Sequence, residues 1–129
     1  MRGEKIVARR YVPLERLGDG LGGVPPAVEF RLFVLDGRVV SRGFYWPPDD
    51  CETPPPSPEV IPEAFIERAV ERVGATDGRA PRWYALDVAR TATGDWVVVE
   101  INDGQRSGLS ENDPRALYAA MATALTRRV

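Results

Sequence analysis

Two turn dipeptides, Asp36-Gly37 and Thr93-Gly94, each sit between runs of β-branched and aromatic residues. That arrangement dictates two β-hairpins, because a chain that reverses within two residues pairs antiparallel with itself. The expected strands are residues 27–35 and 38–46, then 82–90 and 95–102. With Asp36 and Gly37 as the loop, Arg31 faces Arg42 and Glu29 faces Phe44, so Glu29, Arg31 and Arg42 share one face. Val28, Phe30, Leu32 and Val34 take the other, with Val39. With Thr93 and Gly94 as the loop, Asp87 faces Glu100 and Ala85 faces Asn102. The opposite face then holds Tyr84, Leu86, Val88, Val97, Val99 and Ile101, which makes it the core face.

Directly paired side chains have Cβ atoms about 4.5–5.5 Å apart, and like charges there are destabilising. Asp87 opposite Glu100 is such a conflict. A hard divalent cation would remove it, since magnesium takes oxygen ligands from one or two carboxylates with waters and phosphate oxygens. The alternative is a solvated polar face on which two acids happen to pair. Arg31 opposite Arg42 is the mirror image. An anion between them would resolve it, and the planar guanidinium fork suits phosphate oxygens. The alternative there is that both side chains splay into solvent or pair with acids such as Glu29.

The rest of the chain narrows the options. A length of 129 residues fits one domain, and 43% hydrophobic residues suffice for one core. Seventeen basic and nineteen acidic residues leave a formal charge of −2, so no bulk attraction to nucleic acid or membrane is expected. There is no histidine, which removes histidine-based hydrolases and most zinc sites. Cys51 is the one cysteine and Lys5 the one lysine, so chemistry must run on carboxylates, arginines, backbone amides and a cation. No internal disulfide can form, and the opening Met-Arg-Gly-Glu-Lys has no apolar run behind it; a cytoplasmic location is expected. No stretch approaches the roughly 20 apolar residues of a membrane helix.

Residues 6–12 read as a strand. Gly18-Asp-Gly-Leu-Gly-Gly23 matches a dinucleotide fingerprint in letters, but Pro25-Pro26 and a strand follow where a helix is required, so a plain loop is expected. Residues 47–62, with seven of the twelve prolines, read as a surface loop, and Cys51 within it as incidental. A helix is expected over 62–73, with Phe65, Ile66, Ala69, Val70 and Val73 as its apolar stripe and Gly74 past its end. A second is expected from about Pro114 to Arg127, capped by Asp113 and burying Leu117, Met121 and Leu125. Between them, residues 103–110 form a glycine-bearing polar loop, either a plain turn or a backbone nest for an anion. The fold class is therefore α+β: a mainly antiparallel sheet of two hairpins plus an N-terminal strand, covered by two helices.

Asp87, followed by Glu100-Ile-Asn102, resembles the magnesium-binding pattern of the ATP-grasp superfamily. Glu29-Phe-Arg-Leu-Phe-Val-Leu-Asp-Gly-Arg-Val-Val40 resembles the strand pair whose leading Glu contacts ribose. Arg10-Tyr-Val-Pro-Leu14 resembles the inter-lobe segment whose backbone meets adenine, and Asn102 through Ser110 the loop after the metal-binding Asn. The resemblance spans roughly residues 6–125 and is to the C-terminal half of such a protein. It implies that residues 1–129 are one C-terminal lobe, with the family's N-terminal lobe absent. The implied cofactors are ATP and Mg²⁺, with the metal on Asp87, Glu100 and Asn102. It further implies phosphate contacts and catalysis at Arg31 and Arg42, ribose at Glu29, and adenine along Arg10, Tyr11 and Val12. Many family ligases carry an Arg two residues before the metal-binding Asp; here that position is Ala85, which leaves the task to Arg31 or Arg42.

The implied reaction is ATP-dependent ligation of an unspecified carboxylate and amine through an acyl phosphate. The alternative is a nucleotide-binding or structural module without chemistry. A half-cleft would expose apolar surface suited to a second copy or a complementing N-terminal lobe, with Trp83 and Trp96, expected on the acidic face, as contact candidates.

Overall fold

The computed structural model describes residues 9–20, 23–75, 81–105 and 107–126. Both hairpins form, as β1 (Glu29–Leu35) with β2 (Arg38–Phe44) and β3 (Trp83–Arg90) with β4 (Trp96–Asp103). They join edge to edge through β1 and β3 into one antiparallel sheet of order β2-β1-β3-β4. Helix α1 (Glu63–Ala75) packs on one face, where Phe30, Leu32, Val34, Phe44, Tyr84, Leu86 and Val88 meet Ile61, Ile66 and Ala69. Helix α2 (Pro114–Thr126) covers half of the other face, where Leu117 meets Phe33 and Ala85. The architecture is the expected α+β one.

Register decides which side chains share a face, because a one-residue slip sends a whole strand segment to the other side. In the β3–β4 hairpin the loop is three residues long: Thr91 closes on Asp95, and Gly94 sits at φ 91°. Near the turn, Val88 therefore pairs with Val98 and Arg90 with Trp96. A bulge then inserts Val99, and beyond it Asp87 pairs with Glu100, Leu86 with Ile101 and Ala85 with Asn102. The longer loop and the bulge cancel, so the expected carboxylate pairing stands. The turn-proximal part of β4 is inverted relative to expectation. Trp96 and Val98 point to the α1 face, where Trp96 packs 6.1 Å from Phe30 and 6.3 Å from Phe65 between ring centroids. Trp96 is thus not on the acidic face. Trp83 is, but it stacks on Phe33 at 5.3 Å.

The β1–β2 hairpin starts in the expected register, with Leu35 opposite Arg38 and Val34 opposite Val39. A bulge at Val40 then shifts it. Arg31 faces Gly43, and Arg42 faces Leu32. The expected Arg31–Arg42 pair does not exist: the arginines lie on opposite faces, and Arg42 reaches Glu63 of α1 at 2.8 Å. No second bulge restores the slip here.

Three further expectations change. Residues 9–12 form no strand; Arg9 donates instead to the carbonyls of Val98 and Val99 at the β4 bulge, while only isolated bridges join Leu14 to Thr91 and Arg16 to Ala27. A bulged edge presents its carbonyls irregularly, and a guanidinium can follow them where a backbone ladder cannot. Residues 6–8 of that strand, Lys5, Leu21 and Gly22 of the glycine loop, Arg106 and Arg127 lie outside the described residues. Helix α1 continues through Gly74 to Ala75. On α2, the Asp113 carboxylate accepts from the Arg115 amide, as a cap should; Leu117 is buried, but Leu125 is 64% exposed. Among the described residues no helix is long and apolar enough to cross a membrane.

Candidate functional site

The half of the sheet that α2 leaves uncovered carries the candidate site. Gly43, Arg31, Asp87 and Glu100 form one row across all four strands, from β2 to β4. Ser41, Phe33, Ala85 and Asn102 form the next row toward α2, and Glu29 and Ala89 lie in the row on the other side. The period of two brings Glu29 and Arg31, and Glu100 and Asn102, to this same face.

Asp87 is 1% exposed and Arg31 7%. Their contact is bidentate: Arg31 Nε donates to Asp87 Oδ1 and Nη2 to Oδ2, each at 2.9 Å. The third guanidinium nitrogen, Nη1, donates to the Gly108 carbonyl at 3.0 Å, and Cζ lies 5.1 Å from the Tyr45 ring centroid. The like-charge conflict between Asp87 and Glu100 is therefore met inside the fold by an arginine from the other hairpin. The hydrogen bond to Asp87 raises the Arg31 pKa above its ordinary value, and burial works against it. Such a pair is costly to break from one side, since a buried unpaired charge remains.

Glu29 is 6% exposed, and its carboxyl is pushed up from 4.5 to about 7. Burial is the main cause, the Asp87 charge adds to it, Arg31 opposes it and Glu100 adds a further push. The native state thus holds a proton on Glu29 that the unfolded chain has released above pH 4.5. This contribution to stability is fully present below pH 4.5 and is lost as pH rises through 7. After a discount for water near the carboxyl, its size is about 2 kcal/mol. Glu29→Gln should be more stable than the native chain by about that amount at pH 8 and show a flatter pH dependence between 5 and 8, read by urea unfolding. An unchanged slope would exclude Glu29 as its source.

The donors suit a hard cation. Asp87 and Glu100 offer carboxylate oxygens and Asn102 an amide oxygen, and a carboxylate has about four lone-pair sites, of which Arg31 takes two on Asp87. Glu100 is exposed and Asn102 half-buried, so the outer side of the set is open to a ligand. Among the described residues, no group of three or more His, Cys, Asp or Glu side chains is assembled as a metal cluster.

Residues 2–121 match the family model described as ATP-grasp domain, R2K clade family 3. The chain belongs to that family. It is an ATP-binding domain of the ligase type in general terms. Neither the curated proteins nor the solved structures include a significant match to it.

Within this ATP-grasp domain, the structure brings Glu29, Arg31, Asp87, Glu100 and Asn102 to one face and leaves Arg42 on the other. Arg10, Tyr11 and Val12 run as an exposed segment of irregular backbone, with Tyr11 80% exposed. Two buried participants escape a reading of the hairpins. Gly43 sits in the Arg31 row, and a Cβ there would lie 2.5 Å from the Asn112 nitrogen. Asn112 itself, 4% exposed, ties residues 108–112 to β1 and β2. The signal for Asn112 was its place beside the Asp113-Pro114 helix start, but nothing local says that its amide turns back to the sheet.

Proposed function

We propose that the sheet face bearing Asp87, Glu100 and Asn102 is the metal–nucleotide face of an ATP-dependent ligase domain. The carrying observation is the row Arg31–Asp87–Glu100, with Asn102 one row below, in a chain of the ATP-grasp family. Asp87, Glu100 and Asn102 would hold magnesium, which when bound supplies neutralising charge to the nucleotide phosphates. Arg31 would hold Asp87 in place and offer charge to a phosphate oxygen. Glu29, whose carboxyl is held up at about 7, would hydrogen-bond a ribose hydroxyl. Arg10, Tyr11 and Val12 would border the adenine through their backbone. Arg42 has no part in this proposal, because it lies against α1.

The reaction class is carboxylate activation. A substrate carboxylate oxygen attacks the γ-phosphorus of ATP and ADP leaves. An amine nitrogen then attacks the acyl carbon, phosphate leaves and the amine loses a proton. What this chain's residues contribute is orientation and charge, which carry most of phosphoryl-transfer catalysis. A complementing lobe or a second copy would close the open side.

Titration calorimetry of ATP into the native chain tests the reading. Binding should need magnesium and weaken at least about tenfold, roughly 1.4 kcal/mol, in Asp87→Asn/Glu100→Gln. Equal affinity with EDTA present, or in that variant, would contradict it.

A further inference from the structure

We propose that Asn112 is the positioning residue of this carboxylate centre, acting through a single loop that grips Arg31 at both ends. At the main-chain end, Asn112 Nδ2 donates to the Arg31 carbonyl at 3.1 Å. At the side-chain end, the Gly108 carbonyl accepts from Arg31 Nη1 at 3.0 Å. The two grips belong to one structure. Asn112 Nδ2 also donates to the Leu109 carbonyl at 2.9 Å, and the Asn112 amide donates to that same carbonyl at 3.0 Å. The Ser41 hydroxyl donates to Asn112 Oδ1 at 2.6 Å, and the Glu111 amide to the Phe44 carbonyl at 3.1 Å.

The seat for this loop is Gly43. A Cβ on it would come within 2.5 Å of the Asn112 nitrogen and the Glu111 carbonyl carbon, so the loop rests on bare backbone in the row that contains Arg31. With Nε and Nη2 on Asp87 and Nη1 on Gly108, the guanidinium has no remaining freedom to turn. An arginine side chain loses rotamer entropy when fixed, and a loop that fixes it beforehand removes that cost from ligand binding. An amide is the required group at position 112. It donates twice and accepts once in one plane, whereas a carboxylate cannot donate and an aliphatic side chain does neither.

The inference leans on the proposed function only in taking Asp87 for a ligand-holding carboxylate. Its test therefore uses the metal-free, nucleotide-free chain, so that failed ATP binding and a failed latch are separate results. In ¹⁵N-labelled protein the Arg31 Nε–H resonance, assigned by its loss in Arg31→Lys, should exchange slowly with water. In Asn112→Ala, with the sheet amide pattern retained, its exchange should rise roughly tenfold or more, because both Nδ2 donations that hold the loop on Arg31 are gone. Ser41→Ala, which leaves both donations in place, should keep it within about twofold of the native rate. A purely structural Asn112 would lower the melting temperature and leave Arg31 Nε–H protection as it was, and that outcome overturns the proposal. If Asn112→Ala does not fold, the native chain decides. The Asn112 Nδ2–H and Arg31 Nε–H signals should lose protection together, at a denaturant concentration below global unfolding. Separate losses would overturn the latch.

Discussion

Arg31→Ala should destabilise the native state by about 3–5 kcal/mol, measured by urea unfolding at pH 7. The cause is what the substitution leaves behind: an Asp87 carboxylate 1% exposed, beside Glu100, with no counter-charge on either oxygen. Removing both partners is a different case. A double variant such as Arg31→Met/Asp87→Leu should recover most of the loss, since apolar groups of similar volume often replace a buried ion pair at little cost. The coupling in that cycle is the diagnostic quantity. If Arg31→Ala costs under about 1 kcal/mol, the pair behaves as an exposed one and the account of a buried centre fails.

Phe30→Ala should cost a similar amount, about 3–5 kcal/mol, for an unrelated reason. Phe30 is 0% exposed on the α1 face, edge-on to Phe44 at 6.0 Å and beside Trp96 at 6.1 Å. Truncation leaves a cavity that three elements cannot close without moving. Because Phe30 and Arg31 are adjacent in sequence but on opposite faces, the two variants separate stability from site. Phe30→Ala should lower the melting temperature yet keep the full stabilisation by ligand. Loss of that response in Phe30→Ala would mean that the two faces are not independent.

The sequence was legible wherever local rules act alone. The Asp36-Gly37 turn forms as expected, with φ of 49° and 77° at its two residues. The Asp113 cap and the α1 stripe follow from spacing in the same way. The pairing of Asp87 with Glu100 was legible for a less direct reason, since a three-residue loop and the bulge at Val99 offset each other. The bulge at Val40 has no such partner, and a rule that reads register from the turn then assigns Arg42 to the wrong face. Bulges are written in backbone geometry and packing, and neither valine marks itself.

The adjacency of β1 and β3 was illegible for another reason. It brings together residues 56 apart and depends on how two hairpins dock. Without it, the acids of one hairpin and the arginine of the other remained two separate conflicts. With it, each answers the other, and Asp87 has its charge partner in Arg31 within the fold itself. Asn112 was hidden similarly, since an asparagine before a helix reads as loop chemistry until its amide is found under a strand.

The most direct test of the metal–nucleotide face is thermal unfolding of the native chain and of Asp87→Asn/Glu100→Gln, each alone, with magnesium, with ATP and with both. The account predicts a rise in the native chain that needs both ligands together and is absent in the variant, because a ligand that binds only the native state stabilises it by mass action. A native melting temperature unchanged by magnesium and ATP together, or a rise that the variant keeps, would contradict it.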